Sequence, residues 1–174
     1  MACLIFGETT FFSVFVVAYL FYIGKSATGP QPGDVLEFPA LATVCLLSSS
    51  LTAGVAVKAL AGGNRMRTLV GLAATVALGS MFIVETAREW ARLMGDHGLT
   101  IGTNLFGTTF YSLVGFHAAH VILGLLMLSL VLGLALGGRV GRDHSERVEM
   151  VTWYWHFVDA VWIVVLTTVY VVGI

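Results

Sequence analysis

Charge is the scarcest property of this chain. Of its 174 residues only 11% are Asp, Glu, Lys or Arg, whereas 57% are hydrophobic, and the mean hydropathy is +0.91. A soluble domain carries roughly 25% charged residues. So few charges cannot cover a water-facing surface, and the composition points to an integral membrane protein. The net charge of −1 says nothing about nucleic acid, and with no basic stripe and no Gly-rich phosphate loop no nucleic-acid partner is expected. Cysteine is scarce too. Cys3 and Cys45 both lie in apolar runs without Cys-x-x-Cys spacing, and read as small buried hydrophobes, not a disulfide or a metal pair.

What is abundant is long apolar stretches. About 20 apolar residues cross a bilayer as a helix. Five spans are expected, over residues 2–24, 38–57, 68–90, 105–136 and 151–173, forming one all-α transmembrane domain over 1–174. The first is interrupted by Glu8 and lacks the basic n-region of a signal peptide, so it reads as a true span. Gly29-Pro30-Gln31-Pro32-Gly33 punctuates the first loop, and Pro39 suits the first turn of span two. From Gly98 to Gly138 no Asp, Glu, Lys or Arg occurs, and one long tilted span from Leu105 to Leu136 fits this stretch.

The loops after spans two and four hold Lys58, Arg65, Arg67, Arg139, Arg142 and Arg147, and the opposite loops hold Lys25, Arg88 and Arg92. This bias places the N-terminus in the cytoplasm and the C-terminus on the other side. Ser50 with Gly54, Gly71 with Thr75 and Gly79, and Gly115 with Ala119 give small residues at four-residue spacing, which permits close helix approach.

The ionisable residues within the spans are Glu8, His117, His120, His156 and Asp159. At about 1.5 Å per residue, Glu8 lies roughly 10 Å, His156 roughly 8 Å and Asp159 roughly 12 Å from the same boundary, and His120 comes within roughly 8 Å of it from the other direction. His117 falls nearer the midplane. Three readings stay open. One is a hydrogen-bonded cluster that fixes helix register, pairing Glu8 with His120, and His156 with Asp159 or with span four. Another is proton handling. The third is a haem or metal site built on His117 or His120 with His156. Histidines are not repeated along two helices for a stacked haem pair, and Glu8 and Asp159 are too few for a metal centre with its supporting shell. A proton-coupled transporter built on Glu8 would want an internal repeat or broken midplane helices, and neither is present.

Trp153-Tyr154-Trp155 sits at a span boundary, where an interfacial aromatic belt is expected, and Trp162 lies deeper, where it is expected to pack between helices. Glu85, Arg88, Glu89 and Arg92, at helical spacing, read as a solvated helix end with ion pairs.

Trp153-Tyr154-Trp155-His156-Phe157-Val158-Asp159 with Val161-Trp162 resembles the last helix of subunit III of the haem-copper oxidases. Gly115-Phe116-His117-Ala118-Ala119-His120-Val121-Ile122-Leu123-Gly124 is similar to the family's preceding helix, with Gly107-Thr108-Thr109-Phe110 before it. Gly7-Glu8-Thr9-Thr10-Phe11-Phe12 resembles the segment holding the family's buried carboxylate. Leu36-Glu37-Phe38-Pro39, Glu89-Trp90 and Glu149 are weaker matches.

The resemblance implies a chain without haem or copper of its own. Such a subunit packs beside catalytic subunit I and subunit II in an energy-transducing membrane, most simply the bacterial cytoplasmic membrane. It binds phospholipid and supports assembly and proton uptake while the complex reduces O2 to water. The complex is then an enzyme, a proton-translocating oxidoreductase, with no redox centre on this chain. The family's common form has seven helices, two of them ahead of the Glu-bearing one, and this chain resembles the five-helix form lacking that pair. Five-helix versions occur in quinol oxidases and in relatives associated with nitric oxide reductase. A different class, an independent membrane haem protein, is the alternative to be tested against it.

Overall fold

The computed structural model describes residues 2–26 and 29–173, with side chains from residue 5 onward, so Cys3 lies outside the described side chains. Helices α1 (Ala2–Tyr22), α2 (Pro32–Val35), α3 (Ala40–Ala61), α4 (Arg65–Asp96), α5 (Leu105–Leu136) and α6 (Ser145–Tyr170) follow in order, with a 3-10 turn at Arg142–His144. No strand occurs among the described residues. Five of these helices are long and apolar enough to cross a membrane, as the hydropathy pattern requires.

Helix extends past two of the expected span ends: through the charged end of α4, which was expected as a helix end, and into the charged loop expected before α6. α4 runs on to Asp96 and takes in Glu85 through Arg92, and α6 already starts at Ser145, before the apolar run opens. Charged residues are good helix formers, so a helix started in the membrane continues through them until a breaker arrives.

The helix boundaries are set by capping, and α4 starts at Arg65, within the loop expected before residue 68. Asn64 Oδ1 accepts from the Arg67 N–H at 3.1 Å and starts α4. Asn104 Oδ1 accepts from the Gly107 N–H at 2.8 Å and starts α5. At the end of α3, Gly63 adopts φ +75°, and the Asn64 N–H reaches back to the Ala59 carbonyl at 2.9 Å. That is a left-handed cap that a Cβ would strain. Two of the loop arginines close helix ends as well. Arg142 Nε donates to the Ala61 carbonyl of α3 at 3.0 Å, and Arg65 Nη2 to the Leu136 carbonyl of α5 at 3.0 Å. Both place a cation on carbonyls that the helix leaves unpaired.

Two compact units result. The first is Met1–Pro39, Thr86–Ala119 and Ala160–Ile174; the second is Ala40–Glu85 and His120–Asp159.

The second unit is organised by Trp155. Its ring is fully buried, and its Nε1 donates to Ser49 Oγ on α3 at 2.9 Å. A Cβ on Gly79 of α4 would lie 2.8 Å from that ring, and one on Gly124 of α5 would lie 2.7 Å from it. One indole thus touches three neighbouring helices, two of them through the gap left by a missing side chain. Gly71 likewise faces Ala56, where an added Cβ would come within 2.8 Å, and Thr52 Oγ1 meets Thr75 Oγ1 at 2.8 Å beside it. Cys45 is a free, buried thiol in α3.

In the first unit, Phe11, Phe12 and Phe15 of α1 gather round Phe116 of α5, with ring centroids 4.8, 5.6 and 5.3 Å away. Trp90 of α4 stands edge-on to Tyr111 at 5.2 Å and occupies the space left by Gly115.

Candidate functional site

The ionisable groups of the spans divide between the units. Glu8 and His117 belong to the first; His120, His156 and Asp159 belong to the second.

His117 is fully buried. Its ring stacks on Trp162 of α6, with centroids 5.1 Å apart and planes inclined by 28°, and Phe12 of α1 meets it edge-on at 6.4 Å. Trp162 is buried beside it, between helices as its depth in the run suggested. Glu8 is half-buried on α1, one turn before the Phe11–Phe12 pair that packs on Phe116.

In the second unit, His120 is half-buried and its carbonyl accepts from Tyr154 Oη at 3.3 Å. His156 faces outward, and its Nδ1 lies 2.6 Å from Ser50 Oγ of α3. Asp159 is only 4% exposed, and neither carboxyl oxygen completes a hydrogen bond. The Ser50 hydroxyl faces that carboxyl too, but its close contact is with His156. The partner of His156 is therefore a serine on another helix. Ser50 stands beside two ionisable groups, and its single proton can serve one of them at a time.

The aromatic run departs from the belt pattern. Trp153 is 58% exposed, whereas Tyr154 and Trp155 are buried. Consecutive residues point in different directions on a helix, so one aromatic stretch serves both the surface and the core. The acidic end of α4 is only partly a solvated surface. Tyr170 Oη of α6 reaches both Glu89 carboxylate oxygens, at 3.0 and 3.1 Å, and Arg92 bonds Glu37 at 3.0 Å in the segment before α3.

Ser49, Ser50 and Tyr170 are the polar partners that the charge-based reading missed. The signal for the serines was present: Ser48-Ser49-Ser50 is a polar run in an otherwise apolar helix. Tyr170 had no such marker, since tyrosine near a span end also fits an interfacial belt.

Among the described residues no three His, Cys, Asp or Glu side chains come together as a metal ligand set. What the arrangement does supply is hydrogen bonding and ring contacts between neighbouring helices.

Comparison with known proteins gives the architecture its place. A family model described as Cytochrome c oxidase subunit III matches residues 1–174. A protein of Alkalihalophilus pseudofirmus named Cytochrome c oxidase subunit 3 is 32% identical over 170 residues, covering 97% of this chain and 82% of the relative. The protein of that name from Drosophila yakuba is 33% identical over 179 residues, covering 98% of this chain and 67% of the relative. That from Pelomedusa subrufa is 36% identical over 143 residues, covering 82% of this chain; the chain spans about half of that relative's length, 53%. Five membrane-length helices, a family match over residues 1–174 and a relative 32% identical over most of its length lead to one conclusion: this chain belongs to the cytochrome c oxidase subunit III family.

Proposed function

We propose that this chain serves as the non-catalytic subunit III of a respiratory haem-copper terminal oxidase in the bacterial cytoplasmic membrane, with its N-terminus on the cytoplasmic side. The reaction, reduction of O2 to water coupled to proton transfer, belongs to the complex. Haem and copper reside in the catalytic partner subunit I, with subunit II as a further partner, while this chain supports assembly, lipid binding and proton uptake. The observation that carries the reading is the family match over residues 1–174.

The residue chemistry agrees with a supporting role. Buried His117 is engaged by aromatic rings, and His156 is engaged by a serine. Glu8 and Asp159 are the carboxyls available for holding a proton within the spans, and a carboxyl in that setting is costly unless it has such a use or a partner.

The test is purification of the tagged chain from its native membrane in mild detergent. Haem absorbance and copper are expected to co-elute with it, carried by other polypeptides. A chain that purifies alone and shows a Soret band would replace this reading with that of an independent haem protein.

A further inference from the structure

We infer that the α6 face carrying Glu149, Trp153 and His156 is the seat of a transmembrane helix from another subunit, one that offers a hydrogen-bonding side chain to His156 and a basic residue to Glu149. This deepens the proposed function and rests on it.

The three residues are spaced i, i+4 and i+7 and share one face of α6. All three are exposed. Ser50 holds the imidazole by Nδ1, so Nε2 is the atom left to the outside, and it has no partner among the described residues. His156 lies within a membrane-length helix, roughly 8 Å from the boundary of its apolar run by helical rise. A polar group left unpaired against hydrocarbon costs several kcal/mol. The short imidazole side chain cannot snorkel to the boundary as lysine or arginine does.

Acyl chains have nothing to offer Nε2. A lipid phosphate at the level of His156 would leave Glu149, roughly 10 Å away along the helix and without an ion pair among the described residues, unanswered. A protein helix answers both needs, with a donor or acceptor at the level of His156 and a cation roughly 10 Å nearer the boundary, the rise of seven helical residues. Trp153, between the two, supplies the broad, semi-polar contact that interfaces favour.

The opposite character is found in the groove between α3 and α4. It has a volume of about 460 Å3, apolar walls from Leu51, Val55, Met66 and Val70, and Arg67 at its edge. Val70 there makes a control position.

The test uses the complex in native membranes, with photoreactive p-benzoylphenylalanine replacing Trp153 in one sample and Val70 in another. The probe at 153 is expected to form a covalent adduct with a membrane-spanning peptide of another subunit, and the probe at 70 is expected not to capture that peptide. His156→Ala should lower capture at 153 about threefold, the scale of one lost hydrogen bond between membrane helices. His156→Gln should keep most of it. Glu149→Arg, at the exposed end of the face, should also lower capture and serves where His156→Ala fails to accumulate.

Lipid adducts alone at 153, from complexes that still carry haem and copper, would overturn the inference and leave the proposed function standing. So would equal capture of the same peptide from Val70, or a Glu149→Arg complex that captures as well as the parent.

Discussion

Ser50 Oγ lies 2.6 Å from His156 Nδ1, and one residue earlier on each helix Ser49 Oγ accepts from Trp155 Nε1 at 2.9 Å. Two consecutive serines of α3 are thereby matched to two consecutive residues of α6. The pairing sets both the height and the rotation of one helix against the other, because a one-residue slip would break both bonds at once. A double-mutant cycle with Ser50→Ala and His156→Ala should give a coupling of about 0.6 kcal/mol and at most about 1.7 kcal/mol, the range for hydrogen bonds between membrane helices. The measurement is loss of helicity on titrating the chain in mixed micelles with denaturing detergent. Strictly additive single effects would mean that the pair does not hold the helices in register.

The glycines round Trp155 predict a contrast. Gly124→Ala places a methyl group 2.7 Å from the buried indole, whereas Gly133, two and a half turns on in the same helix, has nothing within 4 Å of an added Cβ. Overpacking of this kind costs about 1–3 kcal/mol. Gly133→Ala should be neutral or stabilising by up to about 1 kcal/mol, since alanine is the better helix former. The same detergent titration measures both. Equal effects would show that Trp155 can move aside.

At the end of α4 the two carboxylates should respond differently. Tyr170 is buried and donates towards both oxygens of half-buried Glu89, so Tyr170→Phe removes the donor and should cost about 1–3 kcal/mol. Glu37 is 79% exposed where it meets Arg92, so Glu37→Gln should cost less than about 1 kcal/mol, and salt should reduce even that. Thermal unfolding of the two variants at low and high salt decides this. A salt-sensitive loss in Tyr170→Phe, or a large loss in Glu37→Gln, would contradict the geometry.

The five spans were legible because hydrophobicity over membrane length is a one-dimensional property of the chain. Helix ends were less so. Arg65 and Arg142 read as loop charges, yet they fold back onto helix C-termini, and α6 already starts at Ser145 within the expected loop. Of the buried ionisable set, the sequence located each residue in its span but not its neighbours. Pairing His156 with Asp159 was natural from i, i+3 spacing, whereas the actual contact comes from α3, more than 100 positions away. Depth along the helix can be counted from the sequence. The direction in which a side chain points depends on helix rotation, which Trp155 and its glycines settle through packing.

Asp159 and Glu8 separate the two proposed uses of a carboxyl inside the membrane. Asp159 is buried, with both oxygens lacking a completed hydrogen bond, and it stands beside Ser50, which is already committed to His156. If its role is to shape the helix contact, the isosteric Asp159→Asn keeps the volume and removes only the option of charge. It should then change stability by less than about 1 kcal/mol, because the amide keeps the shape and costs less to bury than a charged carboxylate. Oxygen consumption and protons taken up per electron in the assembled oxidase should be unchanged. Glu8→Gln should leave assembly intact but alter the pH dependence of turnover or its persistence over many cycles, since a carboxyl that holds a proton loses that capacity as an amide. Both variants are read in the same reconstituted complex, by proton uptake and by the decay of turnover. Reduced proton uptake in Asp159→Asn with normal assembly would transfer the proton role to Asp159. Unchanged persistence and pH dependence in Glu8→Gln would leave Glu8 with a packing role beside the phenylalanines of α1.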